Sequence, residues 1–338
     1  MRLAAITSSG ACGIADYADQ LIAALKSIDL SIEVMRDPAW LDPEAFWHWL
    51  TGPAPAGTTP TRPVVWLNHH AALHARWTPE WVRRIQGSMP VVATLHDTRA
   101  GNADSRNSAQ LMRLYEVCDA TIVHEPVADL PGAHYIRHGV PLAQGAMQYG
   151  PGRANDVCFK SYDAQPVLGT VGFAFPWKCI PEMSAAAHAA GWAQVILSNN
   201  ATDEQEAEWR SINPDMLVVR EFLPQTQAIS YLSGCDATAT LYRCANNGTS
   251  GAFRQCLGAR KPVFSFRCRQ MRDIEIAERE EWGIQVIRWT EDFDSFRRDL
   301  TRCPIQRIDP GIAFIAEQDS WPRQAEKYLT LFRSVLGG

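Results

Sequence analysis

The chain has 338 residues, 46 % of them hydrophobic and 20 % charged, an ordinary globular composition that excludes a disordered or collagen-like chain. The net charge of −5 supplies no basic footprint for nucleic acid, although it leaves a local basic groove open. No apolar run approaches the roughly 20 residues of a membrane span, and nine scattered cysteines without a C-x-x-C pair point to free thiols in a reducing, cytoplasmic setting rather than to a disulfide frame or zinc site.

Arg2–Thr7 reads as a first strand; the apolar stretch breaks at Ser8-Ser9-Gly10 and is too short for a secretory signal. Ile14, Tyr17, Ala18, Leu21, Ile22 and Leu25 then fall at helical spacing. Further strands are expected at Ser31–Met35, Val64–Asn68, Val91–Leu95, Ala120–His124 and Ala133–Ile136, with helical stretches between most of them. Residues 51–63, rich in Pro, Gly and Thr, read as a loop because the rhythm resumes after them. An irregular stretch at 141–165 reads as a linker. Strands are expected again at Val167–Val171, Gln194–Leu197, Met216–Val219, Ala237–Leu241, Pro262–Phe264 and Ile284–Val286. Alternating strands and helices imply parallel sheets with helices on both faces, so the chain divides into two open α/β halves.

Chemistry concentrates where strands end. Thr7-Ser8-Ser9-Gly10-Ala11-Cys12-Gly13 joins the first strand to the first helix; Gly10 and Gly13 allow backbone amides to approach a ligand, or simply serve a tight turn. It is not a strict G-x-G-x-x-G, so a dinucleotide is not indicated. Leu95-His96-Asp97 closes a buried-looking strand, and His96 can donate to a sugar hydroxyl or help with a proton. His69, His70 and His74 have a spacing that metal sites use, but no local carboxylate or thiol joins them, and no metal is expected. Gly169–Lys178 comes at the first strand of the second half and the loop after it; Gly172 opens the loop and Lys178 supplies a point charge suited to phosphate. Asn246-Asn247-Gly248-Thr249-Ser250-Gly251-Ala252-Phe253-Arg254 precedes a helix. Its small and hydroxyl residues make an anion nest, whether or not Thr249 or Ser250 also caps the helix. Arg243 ends the preceding strand and either supports that cluster or faces solvent.

Four stretches resemble the GT-B-fold retaining glycosyltransferases of family four (glycosyl transferases group 1). Cys12-Gly13-Ile14-Ala15-Asp16-Tyr17 is similar to the loop and helix lying against the donor, and Thr94-Leu95-His96-Asp97 to the "T-L-H-D" strand end, whose histidine points at the transferred sugar. Gly251–Val263 resembles the "E-A-x-A-x-G-x-P-V" helix and strand. Ser320-Trp321 with Ala325, Tyr328 and Phe332 resembles the closing helix that crosses back to the first domain, with residues 321, 325, 328, 329, 332, 335 and 336 on its apolar face. The resemblance implies two Rossmann-like parallel-sheet domains facing a central cleft: 1–145 on the acceptor side, 160–318 binding the nucleotide-sugar, and 319–338 as the returning helix.

The family's paired glutamates fall at Asn247 and Gln255, where amides keep the hydrogen-bonding capacity and lose the charge. Its arginine aligns with Phe173, its lysine with Lys178 and the following glycine with Cys179. The implied activity is transfer of a sugar from a nucleotide-diphosphate donor, with retention and without a metal or other cofactor. His96, Lys178 and Asn247 would serve catalysis. Gly10, Gly13, Gly172, Arg243, Thr249, Ser250, Gly251, Ala252, Arg254 and Gln255 would hold the donor. The acceptor would be a glycan, a lipid-linked sugar or a small molecule; the net charge argues against a nucleic-acid acceptor without closing it. The rival readings are a catalytically silent GT-B-like nucleotide-binding module and a nucleotide-sugar epimerase of the same fold. Trp47 and Trp49, beside the 51–63 loop, are candidates for acceptor stacking or peripheral membrane contact.

Overall fold

The computed structural model describes residues 1–8, 12–52, 62–70, 74, 76–96, 113–125, 130, 132–142, 165–243, 249–305 and 308–337. The chain forms two compact units. The first comprises Met1–Gly139, Asn246–Thr249 and Trp321–Gly338; the second comprises Val140–Ala245 and Ser250–Ser320.

The first unit is built on six strands, β1 (Arg2–Ile6), β2 (Glu33–Met35), β3 (Val64–His69), β4 (Val91–Leu95), β5 (Ala120–Val123) and β6 (His134–Tyr135), in the order β2-β1-β3-β4-β5-β6. Every pairing is parallel. Parallel strands covered on both faces read as unbroken apolar runs, and β3, β4 and β5 are buried throughout. Helix α1 (Gly13–Ile28) starts at Cys12, whose Sγ accepts from the Ala15 amide, and buries Ala15, Tyr17, Ala18, Leu21, Ala24 and Leu25 at helical spacing. On one face of the sheet Leu3, Ala5 and Trp66 pack with α1 and with Tyr328, Leu329 and Phe332. On the other, Ala4, Ile6 and Leu67 pack with Trp40 and Phe46 and with Trp77, Val82 and Ile85. Helices α2 (Pro43–Thr51) and α3 (Pro79–Gln86) supply part of that layer, each with proline in its first turn.

The second unit has β7 (Val167–Val171), β8 (Ala193–Leu197), β9 (Met216–Val219), β10 (Ala237–Thr240), β11 (Val263–Phe266) and β12 (Arg288–Thr290), in the order β12-β11-β10-β7-β8-β9 and again all parallel. Its helices are α4 (Ile180–Ala189), α5 (Asp203–Ile212), α6 (Gln225–Gly234), α7 (Gly251–Gly258), α8 (Arg272–Ile276), α9 (Phe293–Thr301) and α10 (Pro310–Gln318). Two apolar layers flank the sheet, one containing Leu232, Phe253, Leu257 and Ile312, the other Met183, Trp192, Trp209 and Phe296.

The last strand does not lie at Ile284–Val286 as expected but at Arg288–Thr290. The cause is Glu278, in the π-helical turn Ala277–Trp282. One of its carboxylate oxygens accepts the Val286 and Ile287 amides at 2.7 Å each, and the other accepts the Trp289 indole N–H at 2.7 Å. Amides bound to a carboxylate are not available to a sheet ladder.

Helix α11 (Trp321–Gly337) belongs to the first unit. Trp321, Ala325, Tyr328, Leu329 and Phe332 are buried as expected, but Leu336 is exposed and Leu331 takes its place against the core. Gly139 lies so close to the Trp321 ring that a Cβ there would overlap it. Trp40, Trp66 and Trp77 are core residues, whereas Trp49 is exposed and the half-buried Trp47 lies beneath the Arg84 guanidinium. No disulfide links the seven described cysteines, and no helix among the described residues is long and apolar enough to cross a membrane.

Candidate functional site

In an open parallel sheet the strand order reverses at one point, and the loops beyond the carboxyl ends of the two strands there diverge to leave room for a ligand. In the second unit that point lies between β7 and β10. The loop after β7 opens at Gly172, whose φ of +127° suits glycine, and its amide donates to the Leu197 carbonyl at 3.0 Å. Two contacts, one from the segment between β8 and α5 and one from the first turn of α5, pin the loop: the Ala174 amide donates to Asn200 Oδ1 at 2.7 Å, and Gln205 Nε2 donates to the Ala174 carbonyl at 3.1 Å. Pro176–Lys178 form a single 3-10 turn, and Cys179 then adopts a left-handed conformation at φ +52°. Glycine stands at that position in the resembling family, and here a cysteine keeps the glycine geometry.

This turn sets Lys178 Nζ 3.5 Å from the centroid of the Tyr242 ring, just beyond β10. A cation over an aromatic face is favourable. A Cβ at Gly172 would lie 3.3 Å from Lys178 Nζ and 3.3 Å from the Ala252 Cβ, so Gly172, Lys178 and Ala252 converge. Ser250 caps α7: its Oγ accepts from the Phe253 amide at 3.2 Å and donates to the Tyr242 phenol oxygen at 3.4 Å. The amides of Gly251 and Ala252 belong to the first helical turn, which offers no internal acceptor, and the helix dipole adds positive potential. Thr249, half-buried, directly precedes the cap. Gln255 Oε1 is buried with no hydrogen-bond partner among the described residues. A lysine, first-turn amides and hydroxyls in one place can bind a phosphate or diphosphate.

Two of the expected donor residues are engaged elsewhere. Arg254 is completely buried and ion-paired to Asp273, with Asp319 3.7 Å away, so its guanidinium lies in the interior of the second unit. The Arg243 amide donates to the Trp177 carbonyl at 2.8 Å, while its guanidinium lies over the Phe293 ring and 3.6 Å from Glu182. An aromatic flank went unread in the sequence: Phe175 stacks on Trp177 at 4.4 Å, with Phe173 5.6 Å from Phe175.

In the first unit the strand order reverses between β1 and β3. Thr7 follows β1, Asn68 lies in β3, and His96 follows β4. His96 Nε2 is 2.6 Å from Asn68 Oδ1, and Asn68 Nδ2 donates to Thr7 Oγ1 at 3.0 Å and to the Ile14 carbonyl at 3.1 Å. The half-buried His96 meets Tyr17 edge-on at 4.6 Å and has His124 at 5.3 Å. Burial, followed by the charges of His124 and His138, holds its pKa well below the ordinary histidine value. Gly13 is the exposed first residue of α1. Half-buried Asp16 in the same turn is pushed up to about 6, mainly by burial and secondarily by Asp19. Gly10 and Asn247 lie outside the described residues.

Solved structures of glycosyltransferases share this fold. HepE of Anabaena, solved with UDP and glucose, aligns over 98 % of this chain and 99 % of its own, with a TM-score of 0.62 and 12 % identity. AviGT4, a glycosyltransferase of avilamycin A biosynthesis, aligns over 100 % and 98 %, with a TM-score of 0.58 and 17 % identity. Trehalose-6-phosphate synthase, studied for glycosyl transfer with retention, aligns over 99 % of both chains, with a TM-score of 0.65 and 10 % identity. The chain therefore has the two-domain α/β fold of the GT-B glycosyltransferases. No protein-family model matches it, and no curated protein sequence does.

Proposed function

We propose that the chain is a glycosyltransferase that takes a sugar from a nucleotide-diphosphate donor and passes it to a hydroxyl of a glycan, a lipid-linked sugar or a small molecule. The observation that carries this reading is the convergence of Gly172, Lys178, Tyr242, Ser250 and Ala252 at the reversal point of the second sheet. As the glycosidic bond breaks, negative charge grows on the departing diphosphate. Lys178 and the first-turn amides of α7 are fixed donors aimed at that charge, the electrostatic device that lowers such barriers most. Positive potential of this kind makes transfer without a metal the simplest scheme. The unpartnered Gln255 Oε1 is suited to accept from a ribose hydroxyl. His96 orients the transferred sugar, and retention of configuration is the outcome that the family resemblance implies.

The amide at Gln255, where the resembling family carries a carboxylate, favours one second reading: a silent module that binds the nucleotide without transferring sugar. Thermal-shift screening against UDP-, GDP-, ADP-, CMP- and dTDP-sugars identifies the donor, because a ligand of the folded state raises the melting temperature. With that donor, transfer to a panel of glycan acceptors should fall at least about tenfold in Lys178→Ala, the loss of about 1.4 kcal/mol of transition-state stabilisation. Unchanged turnover removes Lys178 from the mechanism; saturable binding without transfer or hydrolysis favours the silent module.

A further inference from the structure

The buried amide of Asn68 joins three elements of the first unit, and one atom decides the polarity of the whole network. The Ile14 carbonyl can only accept a hydrogen bond, so the Asn68 atom 3.1 Å from it is the amide nitrogen. The second hydrogen on that nitrogen goes to Thr7 Oγ1 at 3.0 Å. Asn68 Oδ1 is then the atom facing His96 at 2.6 Å, and a carbonyl oxygen has no proton to give. The hydrogen in that bond therefore sits on His96 Nε2. A neutral imidazole with a proton on Nε2 carries a bare lone pair on Nδ1.

We infer that Asn68 is a positioning residue that locks His96 as its Nε2–H tautomer, so that His96 presents an acceptor, Nδ1, to the hydroxyl of a sugar. The hydroxyl donates in this contact; a phosphoryl oxygen or a carboxylate, which would need an N–H, is refused. The sugar as occupant rests on the glycosyltransferase reading, but the tautomer does not. Two neighbours show that the assignment is specific to His96. His124 Nδ1 lies 2.8 Å from the Ile136 carbonyl, and His138 Nδ1 lies 2.8 Å from the Gly139 carbonyl, so both carry the proton on Nδ1. Three clustered histidines thus divide two to one, with His96 opposite to the others. Asn68 is itself immobile: it is completely buried in β3, opposite Thr94 of β4, and the His96 amide bonds the His69 carbonyl at 3.3 Å. Burial keeps the ring neutral near pH 7, as the lone pair requires.

Long-range 1H–15N spectra of the full chain labelled at histidine test this without donor or acceptor, so the result is independent of the transferase reading. His96 is assigned by the loss of its signals in His96→Gln. At pH 7.5 the wild-type protein should show a pyrrole-type Nε2 and a pyridine-type Nδ1 at His96, with the reverse at His124 and His138. A protonated Nδ1 at His96, or shifts averaged over both tautomers, overturns the inference. In Asn68→Asp the carboxylate should hold His96 as the imidazolium at pH 7.5, giving two pyrrole-type nitrogens. A His96 spectrum unchanged in that variant likewise overturns the role of Asn68. If the variant does not fold, the wild-type spectrum decides.

Discussion

The phenol oxygens of Tyr17 and Tyr328 lie 2.5 Å apart, joining α1 to α11 inside the first unit. The contact is one link of a chain. The Trp66 indole donates to Thr94 Oγ1 at 2.9 Å, and Thr94 Oγ1 is 3.3 Å from the Tyr328 oxygen. Tyr328 therefore couples the last helix to β4, two residues before His96. Tyr328→Phe deprives both Tyr17 and Thr94 of a buried partner and should cost about 1–3 kcal/mol in urea unfolding. Tyr17→Phe leaves Tyr328 bonded to Thr94 and should cost less, and the double variant should lose less than the sum. Strict additivity would show that the two phenols do not interact.

Stability should fall on mild acidification. Burial is the largest influence on His69 and His74, holding them at about 3 and about 4, and His96 is also held well below the ordinary value. An unfolded histidine titrates near about 6.5. Below that pH the unfolded chain binds protons that the folded chain refuses. The stabilisation is complete above pH 6.5 and is lost as pH falls towards 4, at about 1.4 kcal/mol per pH unit for each group. Asp16, raised to about 6, acts in the opposite sense, since the folded state keeps its proton where the unfolded state has lost it. One half-buried carboxyl does not offset three histidines. Urea midpoints should be level between pH 8 and 7 and drop between 6.5 and 5; a midpoint that holds or rises to pH 5 contradicts the assignment.

Arg254→Met should be among the most damaging substitutions in the second unit. It takes a buried positive charge away from Asp273 and Asp319, both essentially without solvent exposure, and breaking such a pair costs about 3–5 kcal/mol. Arg220→Ala, which breaks an exposed pair with Asp203, should leave the thermal midpoint nearly unchanged. Equal effects would mean that the buried cluster carries no special weight.

Gly172→Ala tests the nest by volume instead of charge. The added Cβ would press on Lys178 and Ala252 and require a left-handed backbone that alanine resists. Donor affinity, read by calorimetry, should fall more than about tenfold, the equivalent of 1.4 kcal/mol. Wild-type affinity would move the diphosphate away from this loop.

The strands were legible because buried parallel strands leave apolar runs that few other structures produce. Ile284–Val286 has the same look and is no strand, since Glu278 takes its amides; nothing in the local pattern tells a carboxylate clamp from a ladder. Lys178 and Ser250 were readable as ligand-directed, but their meeting depends on β7 and β10 being neighbours, and strand order is not written in local sequence. Arg254 shows the converse: one helical turn from the cap, it turns inward to two distant carboxylates. Asn68 carried a faint signal as the polar residue closing Val64-Val65-Trp66-Leu67 in a buried strand. Its partners Thr7, Ile14 and His96 are brought to it only by the fold.

The chain leaves the first unit after Gly139 and returns to it finally at Trp321, with Asn246–Thr249 the one segment between them that is grouped with the first unit. On the second unit's side of these crossings, the Val140 amide donates to the Asp319 carbonyl at 2.7 Å, and Val140 pairs with Ser320 in a parallel bridge. On the first unit's side, Gly139 lies against the Trp321 ring. The first and last residues of the second unit therefore already stand side by side. Excising residues 140–320 and joining 139 to 321 through a short linker would leave α11 within reach of the core it completes, and the excised piece, taking Asn246–Thr249 with it, would carry its whole sheet and the lysine-bearing nest as a single exchangeable cassette.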